Sequence, residues 1–107
     1  MPLFENREKG FEQMFAQNEA ARFRALARRN RALGRWAIEQ LGLTGDEAKA
    51  YLEGIGGTSA MAVADENLVD RIYAEFQAKG VVGSKAQIRN KLSELMAIAI
   101  QQVQSTP

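Results

Sequence analysis

The stretch that most constrains the fold is residues 22–52, because it contains the end of one helix and the start of the next. From Glu19 to Leu41, which overlaps the first part of this stretch, apolar side chains recur at helical spacing within an arc of about 140°. Gly42 follows where a helix needs a left-handed residue, and Leu43 can fold back to seal the end. The expected core-facing residues are Phe23, Leu26, Ala27, Leu33, Ala37, Ile38 and Leu41, with Asn30 and Gly34 on the same arc.

A second, shorter helix is expected from Gly45 to about Glu53. Thr44 and Glu47 have the spacing of a capping box, in which each side chain accepts a hydrogen bond from a backbone N–H at the helix start. Ala48, Tyr51 and Leu52 then face inward. Residues 54–64 are predicted to be a loop. A phosphate-binding role for its glycines is disfavoured, because no strand precedes them and no Lys-Ser/Thr pair follows.

Two further helices are predicted in the C-terminal half. The third spans about 65–79, with Leu68, Val69, Ile72, Tyr73 and Phe76 on one face. Gly80 and Gly83 bracket a turn, after which Ser84 caps the last helix with Gln87 as its capping-box partner. The apolar stripe of that helix consists of Ile88, Leu92, Leu95, Met96, Ala99 and Val103. No strand signal accompanies these patterns, so we expect an all-α, four-helix bundle-like domain over 19–107 with a long first helix.

Residues 1–18 have weaker helical character and are predicted to form a disordered or frayed N-terminal arm. Phe4, Phe11, Met14 and Phe15 form a narrow apolar stripe, but Pro2 and Gly10 interrupt it. Large apolar side chains are unusual in a segment that does not fold. Either the arm is an amphipathic segment that binds a groove on a partner, or it packs back onto the domain.

Charge is distributed unevenly along the chain. Residues 1–35 carry eight Lys/Arg and four Asp/Glu, a net charge of +4, whereas residues 36–107 carry six and nine, a net charge of −3. Arg24, Arg28, Arg31 and Arg35 follow one another along one flank of the first helix, and Arg22 and Arg29 lie on the other. Such a helix suits a partner with an acidic surface, and an RNA-binding module is an alternative. A solvated helix face is the simplest explanation.

Catalysis has little support in the sequence, so we expect a protein that is not an enzyme. The chain has no histidine and no cysteine, and its Asp, Glu, Lys, Ser and Tyr residues form no recognisable catalytic motif. Asp65 and Glu66 are adjacent and are better explained as the negative start of the third helix. No apolar run approaches the length of a membrane span and no secretory signal is evident, so a cytoplasmic location is expected.

Several segments resemble a known family. REKGFEQMFA (7–16), ARRNRALGRW (27–36) and LGLTGDEAKAY (41–51) are similar to the ζ inhibitor subunits of alphaproteobacterial F-type ATP synthases, and QIRNKLSEL (87–95) matches more loosely. The resemblance covers nearly the whole chain, and the order of the first three segments makes it specific. Residues 54–64 depart most from the family pattern.

The resemblance implies a regulatory inhibitor whose N-terminal arm enters a catalytic interface between the α and β subunits of the ATPase head, near the central stalk. There the arm becomes helical and blocks ATP hydrolysis. Its contacts, carried over by position, would be Phe4, Arg7, Phe11, Met14, Phe15, Arg22, Phe23 and Arg24. The resemblance also implies no required cofactor, weak adenine nucleotide binding in some members, no membrane insertion, and a monomer when free. The protein would work at the cytoplasmic face of the membrane through the ATP synthase.

Overall fold

The computed structural model describes residues 18–56 and 64–105 as four α-helices. They are α1 (Glu19–Leu41), α2 (Gly45–Gly56), α3 (Asp65–Lys79) and α4 (Lys85–Ser105). The described residues contain no strand, so the predicted all-α fold with a long first helix is confirmed. The predicted arm, apart from Asn18, lies outside the described residues. The division into an arm and a domain stays a prediction.

The end of α1 follows the prediction. Gly42 adopts the left-handed conformation, with φ of 69°. Its N–H donates to the carbonyl of Glu39 at 3.3 Å, and the Leu43 N–H donates to the carbonyl of Ile38 at 3.1 Å. These two bonds satisfy carbonyls that a helix end would otherwise leave without a donor. Leu43 is half-buried against the core, which seals the helix end as expected.

The start of α2 does not contain the predicted capping box. The Thr44 carbonyl accepts from the Ala48 N–H at 3.3 Å, but the described residues show no side-chain hydrogen bond between Thr44 and Glu47. Gly45 has a φ of 58°, and a left-handed first residue departs from the helical geometry that a capping box requires. The capping-box prediction was therefore wrong, although the helix begins at the predicted residue.

Helix α2 continues to Gly56, beyond its predicted end near Glu53, so residues 54–56 are helical rather than part of a loop. The extra turn places Ile55 in the core, where its side chain is fully buried. Gly34 of α1 makes this contact close: a Cβ atom there would lie 3.0 Å from Leu52 Cδ1 and 3.5 Å from Ile55 Cγ2. Gly34 thus allows the close helix approach that its position on the apolar arc suggested.

Helices α3 and α4 have the predicted boundaries and inward faces. Gly80 ends α3 in the left-handed conformation, with φ of 72°. The predicted capping box at the start of α4 is confirmed: the Ser84 N–H donates to Gln87 Oε1 at 3.0 Å, and the Gln87 N–H donates to Ser84 Oγ at 3.2 Å. The α4 stripe contains four buried residues, with Leu95 and Met96 half-buried.

The core consists of two clusters along α1. The main cluster lies between the C-terminal half of α1 and the other three helices, and Trp36 packs on its edge with its ring centroid 5.6 Å from that of Phe76. Its buried members are Leu33, Ala37, Tyr51, Ile55, Leu68, Val69, Ile72, Phe76, Ile88 and Leu92. The smaller cluster joins Ala21 and Ala25, near the start of α1, to Ala99 and Val103 near the end of α4.

A polar contact connects α2 to α3. The Tyr51 hydroxyl donates to Glu75 Oε1 at 2.8 Å. Arg71 lies 5.9 Å from the centroid of the Tyr51 ring and 3.8 Å from Glu75. Burial raises the pKa of the Tyr51 hydroxyl, and the hydrogen bond to Glu75 and the charge of that carboxylate raise it further.

Candidate partner interface

Helix α1 begins with a side-chain cap that the sequence analysis missed. Asn18 has an extended backbone, and its Oδ1 accepts from the Ala21 N–H at 3.0 Å while its carbonyl accepts from the Arg22 N–H at 2.9 Å. Asparagine is among the most favoured residues at this position, and that preference was the available signal. The cap ties the last residue of the predicted arm to the first turn of α1.

The start of α1 is also anchored by packing. Ala21 and Ala25 are buried against Ala99 and Val103 of α4. Small side chains on both helices let the two backbones approach closely, so this end of α1 is held against α4. Any segment that continues upstream from residue 18 therefore starts from a fixed point.

Arg22, Phe23 and Arg24 lie on the first turns of α1 with their side chains exposed. Phe23 is 51% exposed, which corrects its assignment to the core-facing arc. At its level α1 buries Ala21 and Ala25 instead, and residue 23 points away from that side because successive residues are 100° apart. An aromatic ring flanked by two guanidinium groups is thus available to a partner. The other predicted contacts, Phe4, Arg7, Phe11, Met14 and Phe15, lie outside the described residues.

The arginine flank predicted from the sequence is exposed along its whole length. Arg24, Arg28, Arg31 and Arg35 all present their side chains to solvent. None forms an ion pair with a described carboxylate, and Arg28 makes a single long contact, from its Nη1 to Gln102 Oε1 at 3.5 Å. The face is strongly positive.

Arg29 is the exception, and the prediction that the arginines avoid the buried face was wrong for it. Its side chain is only 5% exposed and pairs with Asp65, the first residue of α3, with Nη2 3.0 Å from Oδ1. Nε and Nη2 also donate to Asn30 Oδ1 at 3.1 and 2.9 Å. Arg29 is buried because it lies four residues from both Ala25 and Leu33, on the line along which α1 meets its neighbours. This side chain holds the fold together and is not available to a partner.

A shallow groove of about 310 Å³ lies between the C-terminal half of α1 and the first half of α4. Trp36 forms one side, and Lys91 lies over its ring with Nζ 5.9 Å from the centroid. Within residues 18–56 and 64–105, no three metal-ligating side chains converge. In the same part of the chain, no helix is long and apolar enough to cross a membrane.

The four helices define a small all-α protein whose first helix begins with an exposed aromatic ring between two exposed arginines. The family model described as ATPase inhibitor subunit zeta matches residues 1–102, and the chain belongs to this family. A comparison with curated proteins finds no significant match. The resemblance seen in the sequence is thereby confirmed. Membership in a family of inhibitor subunits gives the protein a regulatory role in association with the ATP synthase.

Proposed function

We propose that the protein inhibits ATP hydrolysis by inserting its N-terminal arm, residues 1–18, at a catalytic α/β subunit interface of the F-type ATPase head, beside the central stalk. Arg22, Phe23 and Arg24 continue the contact onto α1. The role is regulatory and requires no bound cofactor; weak binding of an adenine nucleotide is compatible with it. The protein acts at the cytoplasmic face of the membrane without inserting into the bilayer.

The observation that carries this proposal is the exposure of Phe23 between two exposed arginines. A half-exposed phenylalanine on a helix forgoes part of the roughly 1.5–3 kcal/mol that full burial of its ring would contribute. Aromatic and arginine side chains are the residues most often responsible for affinity in protein interfaces. Their position on the first turns of α1 makes them the nearest described contacts to the arm.

The energetics explain why a folded domain follows the arm. Ordering about 18 residues costs on the order of 1–2 kcal/mol each, whereas each large apolar side chain of the arm returns roughly 1.5–3 kcal/mol on burial. The four apolar anchors alone therefore do not compensate for that cost. Helix α1 is already formed and capped at Asn18. Contacts made by Arg22, Phe23 and Arg24 thus add affinity with little further loss of backbone entropy.

The first test is a deletion of residues 1–17, which keeps the Asn18 cap. We expect the truncated protein to lose inhibition of ATP hydrolysis by the purified cognate ATPase head. Its thermal unfolding midpoint should change by no more than a few degrees, because in this proposal the arm folds on the ATPase, and the deletion keeps both described core clusters and the Asn18 cap. Retained inhibition would refute the insertion mechanism. A strongly lowered midpoint would show that the arm belongs to the core.

A second variant examines α1 itself. Phe23→Ala should weaken inhibition about tenfold, since an aromatic anchor at an interface commonly contributes 1–2 kcal/mol or more. Val82→Ala is the matched control, because Val82 is an exposed apolar residue at the opposite end of the domain, in the turn between α3 and α4. Equal inhibition by the two variants would show that Phe23 does not contribute to the interface.

A further inference from the structure

We propose that the solvent face of α1 is a docking surface for an acidic patch on the ATPase, distinct from the insertion of the arm. The surface is the arginine row, defined as Arg24, Arg28, Arg31 and Arg35; Arg24, which also belongs to the contact that continues the arm, is where the two contacts meet. It attracts carboxylates of the partner, accelerates association and aligns the domain beside the site that the arm enters. This inference rests on the proposed function and adds a second contact to it.

The geometry of the row suits a flat, charged contact. Its members are spaced at i, i+4, i+7 and i+11, so at 100° per residue they fall within an arc of about 60°. They extend over about 16 Å of helix length at 1.5 Å per residue. All four side chains are exposed, and none is held by an ion pair within the described residues. The row thus offers four guanidinium groups without an ion-pair partner among the described residues, and the long contact of Arg28 with Gln102 at 3.5 Å is the only hydrogen bond that they form with a described side chain.

The contrast with the other helices shows that this is not the general state of the surface. Four of the five Lys and Arg residues on α3 and α4 form ion pairs. The pairs are Arg71–Glu75 at 3.8 Å, Lys85–Asp70 at 3.0 Å, Arg89–Glu66 at 2.8 Å and Lys91–Glu94 at 3.3 Å. Most basic residues of α3 and α4 therefore form ion pairs within the protein, whereas those of the row do not.

The positive charge of the row is not neutralised by ion pairs with described residues, although α1 and α2 carry exposed acidic residues. Asp46, Glu47 and Glu53 are exposed on α2 and form no ion pair with a described residue. Glu39 follows Arg35 by four residues without pairing to it, in the order that is less favourable on a helix. Like charges at these spacings destabilise a helix. Their concentration on one face therefore favours a binding role over a structural one.

The chemistry of the row and its surroundings favours a protein partner. Guanidinium groups bind carboxylates through two parallel hydrogen bonds, and the adjoining Phe23 ring adds an apolar contact. A nucleic acid would extend beyond a row of about 16 Å onto the rest of the molecule. There, residues 36–107 carry nine acidic against six basic side chains, which would repel phosphates. The partner that fits is an acidic protein surface.

The experiment compares the full-length protein with the triple variant Arg28→Gln, Arg31→Gln, Arg35→Gln, which leaves Arg24 and the arm unchanged. The matched control is Lys49→Gln, Lys79→Gln, Arg89→Gln, which removes the same charge from α2, α3 and α4. Association with the purified cognate ATPase head is measured as a function of ionic strength. Electrostatic steering raises association rates by 10- to 1000-fold. We expect the row variant to associate about tenfold more slowly at low salt, with a flatter salt dependence, and the control to change less than twofold.

Thermal unfolding and binding to a single-stranded RNA oligonucleotide are measured on the same variants. The thermal midpoint of the row variant should be equal to or higher than that of the wild type, because neighbouring like charges are removed. Equal association rates and salt slopes for the row and control variants would overturn the proposal. So would a row variant that loses binding to a single-stranded RNA oligonucleotide at physiological salt but binds the ATPase normally. If deletion of residues 1–17 leaves inhibition intact while the row variant still associates slowly, the insertion mechanism fails and the docking surface stands.

Discussion

The buried contact between Arg29 and Asn30 permits a quantitative prediction about the stability of the domain. Asn30 is fully buried, and its Oδ1 accepts two hydrogen bonds from the Arg29 guanidinium. Its Nδ2 has no hydrogen-bond partner in the part of the chain that the structure describes. The two residues thus form a polar pair inside an apolar interface, with one donor left unsatisfied. We consider the exchange of each for an apolar residue of similar shape, Arg29→Met and Asn30→Leu.

Each single substitution should destabilise the domain by about 2–3 kcal/mol. Arg29→Met leaves Asn30 Oδ1 buried without a donor, which costs about 1–3 kcal/mol, and it removes the pair with Asp65. Loss of that pair costs at most about 1 kcal/mol, because the Asp65 side chain is 60% exposed and water solvates its carboxylate once Arg29 is replaced. Asn30→Leu removes the unsatisfied Nδ2, which is favourable, but it leaves the buried Arg29 guanidinium with Asp65 as its one partner. The cost of that poorly satisfied charge exceeds the gain.

The double variant should be far less affected than the sum of the singles. Replacing both members removes the buried charge, the unsatisfied acceptor and the unsatisfied donor together, a change that is often nearly neutral. We expect a loss of about 1–2 kcal/mol, so that the coupling energy is at least about 2 kcal/mol. Asp65→Asn is the control for the exposed partner and should cost less than about 1 kcal/mol.

The measurement is urea unfolding of all four variants and the wild type, followed by far-UV circular dichroism. For a domain of this size, a loss of about 3 kcal/mol lowers the thermal midpoint by roughly 12 °C or more, which provides an independent check. If the double variant loses the sum of the two single effects, Arg29 and Asn30 do not stabilise the fold as a pair. If Asp65→Asn proves as damaging as Arg29→Met, the ion pair rather than the Asn30 contact holds the interface.

Three further predictions concern single residues, Tyr51, Gly42 and Gly54. Tyr51→Phe should cost about 1–2 kcal/mol at neutral pH, because it removes the hydrogen bond to Glu75. Because the pKa of Tyr51 is raised in the folded state, its contribution is fully present below about pH 10 and is lost as the pH rises further. Above that pH, the free energy of unfolding should therefore fall more steeply with pH for the wild type than for Tyr51→Phe. Equal slopes would contradict the raised pKa of Tyr51. Gly42→Ala should cost about 1–2 kcal/mol because of its left-handed φ of 69°, whereas Gly54→Ala should add about 0.5–1 kcal/mol to stability, since a Cβ there meets only the flexible Arg71 side chain. Thermal unfolding checks both glycine variants, and a higher midpoint for Gly42→Ala would refute the expected cost of an alanine in the left-handed conformation.

Local sequence signals predicted the helix boundaries well. Gly42 and Gly80 occupy the left-handed positions expected at helix ends, and Ser84 with Gln87 forms the expected capping box. Each of these features depends on a few neighbouring residues whose backbone requirements are specific. The cap at Asn18 was not predicted, although asparagine is among the residues most favoured at that position.

Two features of α2 were predicted less well, its start for a local reason and its end because of tertiary packing. The Thr44–Glu47 spacing is that of a capping box, but Gly45 turns into the left-handed region and prevents it. The two glycines at 54 and 56 indicated a loop, yet α2 continues through them. Helix propensity is a weak preference, and burial of Ile55 against α1 outweighs the cost of about 1 kcal/mol for each glycine.

The wrong predictions for Arg29 and Phe23 have one physical cause. The prediction placed the buried face of α1 on a single fixed arc, but five of its seven buried residues, Ala21, Ala25, Arg29, Leu33 and Ala37, are spaced four apart, and the other two, Asn30 and Gly34, lie in its second half. Each such step advances about 40°, so the buried direction turns by about 160° along the helix. It turns because α1 meets the end of α4 near its start and α2 near its end. That rotation carries Arg29 into the interior and leaves Phe23 outside, beside the arginine row. The packing that stabilises the domain thus also leaves Phe23 and the arginine row exposed on the same helix.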